Sequence, residues 1–138
     1  MFPPSSSIQL LPELFTKIAR LHPHAIAVEI PPGRSRTDRL SLSYAELDAL
    51  SDHVARQLAP SLSRDRVVAI LILREDPALF VAQLAVLKGG AAYACLDPTF
   101  PDERILEILN DAEAVALLTN ASGMGRIQDK NQIGRAHV

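Results

Sequence analysis

The feature that most constrains this chain is an uninterrupted apolar run, Val67–Leu73 (VVAILIL). A half-buried strand alternates apolar and polar residues; this one does not. It has to be covered on both faces, as in a parallel sheet sandwiched between helices. The residues that follow keep to that scheme. Asp76-Pro77 reads as a helix cap and a first-turn proline, opening a helix that carries Leu79, Phe80, Leu84 and Leu87 and stops at Gly89-Gly90. Ala91–Leu96 reads as the next buried strand. Pro101–Asn110 is the next helix, with Ile105, Ile108 and Leu109 inward and Asp102 and Glu103 near its positive end. Ala114–Leu118 is a third strand. Strand-helix-strand-helix-strand with short connections predicts an α/β fold, a right-handed, doubly wound parallel sheet with flanking helices.

A helix and a hairpin are expected to precede that sheet. Leu11, Leu14, Phe15 and Ile18 recur at helical spacing, with Pro12 tolerable in the first turn and Pro23 marking the end. Ala25–Ile30 and Leu40–Leu42 read as two strands joined by the exposed loop PPGRSRTDR. Ser43 and Glu46 then form a capping box, and Leu47, Leu50, Val54 and Leu58 make one apolar stripe, so a helix is predicted over about 44–58. Residues 1–9 are expected to be disordered. After Asn120 neither helical nor strand period continues, and 121–138 is expected to be irregular. The last six residues, Ile133–Val138, match the translation of a common short-read sequencing adapter, and a CAG codon for Gln132 supplies the two bases with which the adapter begins. The reading frame is therefore expected to pass from genuine sequence into adapter at that point.

Charge and cysteine content exclude several classes of function. A net charge of −2 and a pI near 6.1 leave no basic footprint for nucleic acid or an anionic membrane. Cys95, the single cysteine, has no internal disulfide partner, which fits a reducing compartment. MFPPSSS lacks the basic start and apolar core of a secretory signal, and Val67–Leu73 is too short to span a bilayer. A cytoplasmic location is the expectation.

No single residue announces chemistry. His22 and His24 flank Pro23 in a loop, His53 lies apart, and His137 falls in the adapter-like tail, so no ligand cluster forms. Cys95 sits in an apolar strand and reads as a buried, inert thiol. Gly123-x-Gly125 lacks the third glycine of a dinucleotide fingerprint. Lys88 could hold a phosphate, but its place in the last turn of a helix accounts for it through the helix dipole. Asp97 stands at the carboxyl end of a parallel strand, where sites gather in such sheets, yet Asp97-Pro98 is equally a turn. From the residues alone, no catalytic, cofactor-binding or metal-binding residue is assigned.

Three stretches together resemble the start of an adenylation domain of nonribosomal peptide synthetases, in the acyl-adenylate-forming, AMP-binding superfamily. LFTKIARLHPHAIAV (14–28) resembles the opening helix and its P-x-A-x-A-V ending. LSYAELDALSDHVARQL (42–58) resembles the first core motif, and LKGGAAYACLDPTFPDERI (87–105) the second, L-K-A-G-x-A-Y-x-P-L-D-P-x-x-P-x-x-R. DAEAVALLT (111–119) resembles the strand that follows. Two positions depart from the pattern: Gly89 replaces an alanine, read as harmless at a helix end, and Cys95 replaces a proline. The resemblance covers about 10–120 and marks it as a partial AMP-binding domain.

The resemblance implies a parent enzyme that joins a carboxylic acid, by its branch an amino acid, to AMP using ATP and Mg2+. The parent then loads the acyl group onto the phosphopantetheine thiol of a carrier-protein domain. The family's phosphate loop, its ribose-binding aspartate, its C-terminal lysine and its specificity pocket have no counterpart in these residues. The chain by itself is therefore expected to bind no cofactor, to be inactive, and to be insoluble or partly folded. A stand-alone acyl- or aryl-CoA ligase and a non-catalytic α/β binding module are the competing readings.

Overall fold

The computed structural model describes residues 10–34, 36–127 and 134–137. The disorder expected for residues 1–9 falls outside them. Helix α1 (Leu11–Leu21) leads into an antiparallel hairpin, β1 (Ile26–Ile30) and β2 (Leu40–Ser43). Helix α2 (Tyr44–Leu58) starts at the predicted capping box: Ser43 Oγ accepts from the Glu46 N–H at 3.1 Å, and the Glu46 carboxylate accepts from the Ser43 N–H at 3.4 Å.

Then come β3 (Val67–Leu71), α3 (Ala78–Lys88), β4 (Ala92–Leu96), α4 (Asp102–Asp111) and β5 (Ala116–Thr119). The sheet order is β4-β3-β5, all parallel. The chain steps one way from β3 to β4, then back across β3 to β5. A crossover of constant hand therefore places α3 and α4 on opposite faces. Core packing follows that division. Val68, Ile70, Ile72, Ala116 and Leu118 pack with α2, α3 and the hairpin. Ala69, Leu71, Leu96 and Leu117 pack with Ile105 and Leu109 of α4. The all-apolar run is thus buried from both sides, although the strand itself ends at Leu71 and Leu73 is exposed.

Three expectations are corrected. Strand β4 is not buried on both faces. It is an edge strand in which Ala92, Tyr93 and Cys95 are exposed and only Leu96 is fully covered, because no strand among the described residues flanks its outer side. The stretch after Asn120 is not irregular throughout. Ala121–Ile127 forms a short helix, α5, and Gly134–His137 forms a strand, β6, parallel to β5. An edge pairing of that kind rests on backbone groups, which every sequence carries, so it leaves no mark in side-chain periodicity.

Gly89, finally, is not an indifferent replacement for alanine. A Cβ there would lie 2.1 Å from Leu62 Cδ1 and 2.8 Å from Leu62 Cβ, so the helix end and the Leu62 side chain share one space. Gly90 beside it has φ +81°, the left-handed conformation that ends the helix.

Candidate functional site

In a doubly wound sheet, ligands enter at the carboxyl ends of the strands, where neighbouring strands send their chains to opposite faces. Here that point lies between β3 and β5. The chain leaves β3 toward α3 on one face. It leaves β5 toward α5 on the other, since Gly123 packs against the Thr119 side chain on the Leu71–Leu117 side.

A network of side-chain hydrogen bonds spans the gap. Thr119, fully buried, donates from Oγ1 to the Leu71 carbonyl at 2.7 Å. Asn120 Nδ2 donates to Asp76 Oδ2 at 3.1 Å. The second carboxylate oxygen of Asp76 and the side-chain carbonyl of Asn120 each bond a helix start: Asp76 Oδ1 accepts from the Ala78 N–H at 2.9 Å, and Asn120 Oδ1 from the Gly123 N–H at 3.2 Å. Gly123 has to be glycine for this to close, because a Cβ would lie 1.9 Å from Thr119 Oγ1.

At the end of β4, Asp97 Oδ1 accepts from both the N–H (2.9 Å) and the hydroxyl (2.7 Å) of Thr99. These two bonds, with Arg74 nearby, hold the Asp97 carboxyl below its ordinary range. Asp97, Thr99, Arg74, Glu75 and Cys95 line an open cavity of about 410 Å³ between the ends of β3 and β4. Arg126 of α5 ties down the same turn, donating to Asp102 at 2.7 Å, to the Phe100 carbonyl at 2.8 Å and to the Pro98 carbonyl. Sequence reasoning missed Arg126, Asn120 and Asp76 as partners. Their contacts span 24 to 44 residues and leave no local pattern.

The residues weighed from the sequence are dispersed. Asp97 alone reaches the sheet edge in the manner expected. Cys95 is exposed, contrary to expectation, because β4 is an edge; its sulfur accepts from Gln83 Nε2 at 3.3 Å. Lys88 neither faces this edge nor serves only the helix dipole. Its side chain is nearly buried, donating at 2.6 Å to Asp48 and at 2.6 Å to Asp52, with the Phe15 ring 5.7 Å away. The larger hollow, about 760 Å³, is lined by α1, Asp52 and Lys88; Lys88 and Asp52 are paired with each other there, and Lys17 and Arg20 of α1 also line it. His22 and His24 are exposed beyond α1, and His53 lies 3.3 Å from Gln57 on α2. Gly123-x-Gly125 lies inside α5. Among the described residues no three His, Cys, Asp or Glu converge as a metal site.

A triphosphate with its magnesium requires free N–H donors and cations. Of the helix starts at this edge, those of α3 and α5 are already bonded by Asp76 and Asn120, and that of α4 carries Asp102 and Glu103 in its first turn. These carboxylates and that of Asp76 would repel phosphate, and Arg74 lies beside the Asp97 carboxylate. The residues present do not fit such a group.

Residues 15–137 match the family model described as AMP-binding enzyme, and the chain belongs to that family. Within it, the chain is the N-terminal part of an adenylation domain of the nonribosomal peptide synthetase type. It is 38% identical over 118 residues to a dimodular nonribosomal peptide synthase of Bacillus subtilis (strain 168), covering 85% of this chain and 5% of that protein. It is 39% identical over 119 residues to AMB antimetabolite synthetase AmbB of Pseudomonas aeruginosa, covering 86% of this chain and 9% of that protein. The nonribosomal peptide synthetase FmoA3, solved with alpha-methyl-L-serine-AMP bound, superimposes with a TM-score of 0.76 at 25% identity, covering 94% of this chain and 14% of that one. The chain thus spans less than a tenth of either sequence relative.

Proposed function

We propose that the protein to which these residues belong activates an amino acid with ATP. The products would be an aminoacyl-AMP, pyrophosphate and, after a second step, a thioester on the phosphopantetheine of a carrier-protein domain. The observation that carries this reading is the family match over residues 15–137, on which the three sequence motifs fall in order. Residues 10–120 serve as scaffold: a rigid α/β layer whose carboxyl edge is held by side-chain bonds, with ATP, Mg2+ and substrate bound by segments outside them. A cytoplasmic location is part of the reading. Among the described residues no helix is long and apolar enough to cross a membrane.

The test begins with genomic sequence through codon 133, which also decides whether Ile133–Val138 are coded by the gene or by adapter. The whole protein is then assayed for ATP–pyrophosphate exchange with amino acids, fatty acids and aryl acids. Exchange with one or a few amino acids, and a carrier-protein domain downstream, is expected. Exchange restricted to fatty or aryl acids, with free coenzyme A as acceptor, overturns the reading.

A further inference from the structure

We propose that Asp76 and Asn120 act as one positioning pair for the reaction of the whole protein. Their single hydrogen bond couples the starts of two helices lying on opposite faces of the sheet, and so sets the geometry of its carboxyl edge. The proposal rests on the functional reading above and goes beyond it, because neither residue belongs to the three motifs.

Every polar atom of the two side chains facing the gap has a defined task. Asp76 holds α3 with Oδ1 and Asn120 with Oδ2; Asn120 holds Asp76 with Nδ2 and α5 with Oδ1. Between the two side chains there is one donor, the Asn120 amide, and one acceptor, Asp76 Oδ2. A carboxylate at both positions would face its like across about 3 Å, and an amide at both would leave two donors opposed. Exchanging the residues keeps everything, because aspartate and asparagine cap helices equally well. The movable parts are the two exits from the sheet, β3 to α3 and β5 to α5. Thr119 and Gly123 leave no slack on the α5 side, since the Thr119 hydroxyl already fills the place of a Gly123 Cβ. A broken pair therefore shifts the segment leaving β5 rather than being absorbed locally.

The experiment uses the whole protein in four forms: unaltered, N120D, D76N and D76N/N120D. Two readouts are taken: hydrogen exchange of the amides in 76–82 and 120–126, and kcat and KM for ATP–pyrophosphate exchange. Each single substitution should lower kcat/KM at least about fivefold and speed amide exchange in both segments, a coupling of ordinary size for groups in contact. The double substitution should return both readouts to within about twofold of the unaltered protein. If it is no better than the worse single form in amide exchange, the pair is not coupled and the proposal is overturned. If protection is lost in the single forms and returns in the double while kcat/KM does not follow it, the pair is structural only and the positioning role is overturned. If neither single form loses protection, the two residues are not coupled and the proposal is overturned. Should the unaltered protein show no exchange with any acid, the functional reading fails and the positioning role with it. The protection cycle would still decide whether the two caps are coupled.

Discussion

Lys88 Nζ and Asp48 meet 40 residues apart in sequence, with the ammonium donating to both the Asp48 carboxylate at 2.6 Å and the Asp48 backbone carbonyl at 3.2 Å. Asp52 accepts a third bond and the Phe15 ring stands over the charge, so one lysine joins α1, α2 and α3.

Removing that cation leaves two carboxylates facing each other, one of them substantially covered. Lys88→Met is expected to weaken the α2–α3 contact by about 1–3 kcal/mol, less than for a fully buried pair because Asp52 is half exposed. Amide exchange of α3 in the whole protein measures it. Asp48→Asn should cost more than Asp52→Asn, since Asp48 is the more covered partner. Equal protection in all forms would contradict the clamp.

Gly89 and Leu62 compete for one volume. Gly89→Ala is expected to destabilise by about 1–3 kcal/mol, through overpacking against the Leu62 side chain. Gly89→Ala with Leu62→Ala should recover part of the loss relative to Leu62→Ala alone. Amide exchange of α3 reads the cycle, and strict additivity would show that Leu62 moves aside freely.

Asp97 owes its lowered pKa first to the Thr99 N–H and next to the Thr99 hydroxyl. The sign follows from linkage: a carboxyl depressed on folding adds stability above its ordinary 3.8 and loses it as pH falls through the lowered folded value. Thr99→Val keeps the N–H and removes the hydroxyl, so the Asp97 midpoint should move part of the way back up. Titration of 13C-labelled aspartate carboxyls checks this. An unmoved midpoint would mean that the hydroxyl bond is not formed in solution.

Among the described residues no strand pairs with the outer side of β4, beside which Tyr93 and Cys95 are exposed, with Phe80 and Leu73 also exposed. Such an edge favours association. The 138-residue chain expressed by itself is expected to sediment as aggregate or oligomer and to show no ATP–pyrophosphate exchange. A sharp monomer peak with a cooperative thermal transition would contradict this, and exchange activity would contradict the assignment of these residues as scaffold.

Element types were legible from the sequence wherever the signal is local. The Ser43–Glu46 box, the glycine stop at 89–90 and the unbroken run from Val67 lie within a few residues of what they specify, and each sits where it was expected. Family membership was legible for the same reason, being written in short motifs in order. Only the tertiary structure decided which strand lies at an edge, and with it the exposure of Cys95. Strand order is a property of the crossovers, not of any strand's own residues. Lys88, Asp76 with Asn120, Arg126 with the turn after β4, and Gly89 against Leu62 were likewise beyond the sequence. Each depends on at least one polar or small residue of a kind common on any surface, and it acquires meaning only when folding brings its distant partner within reach.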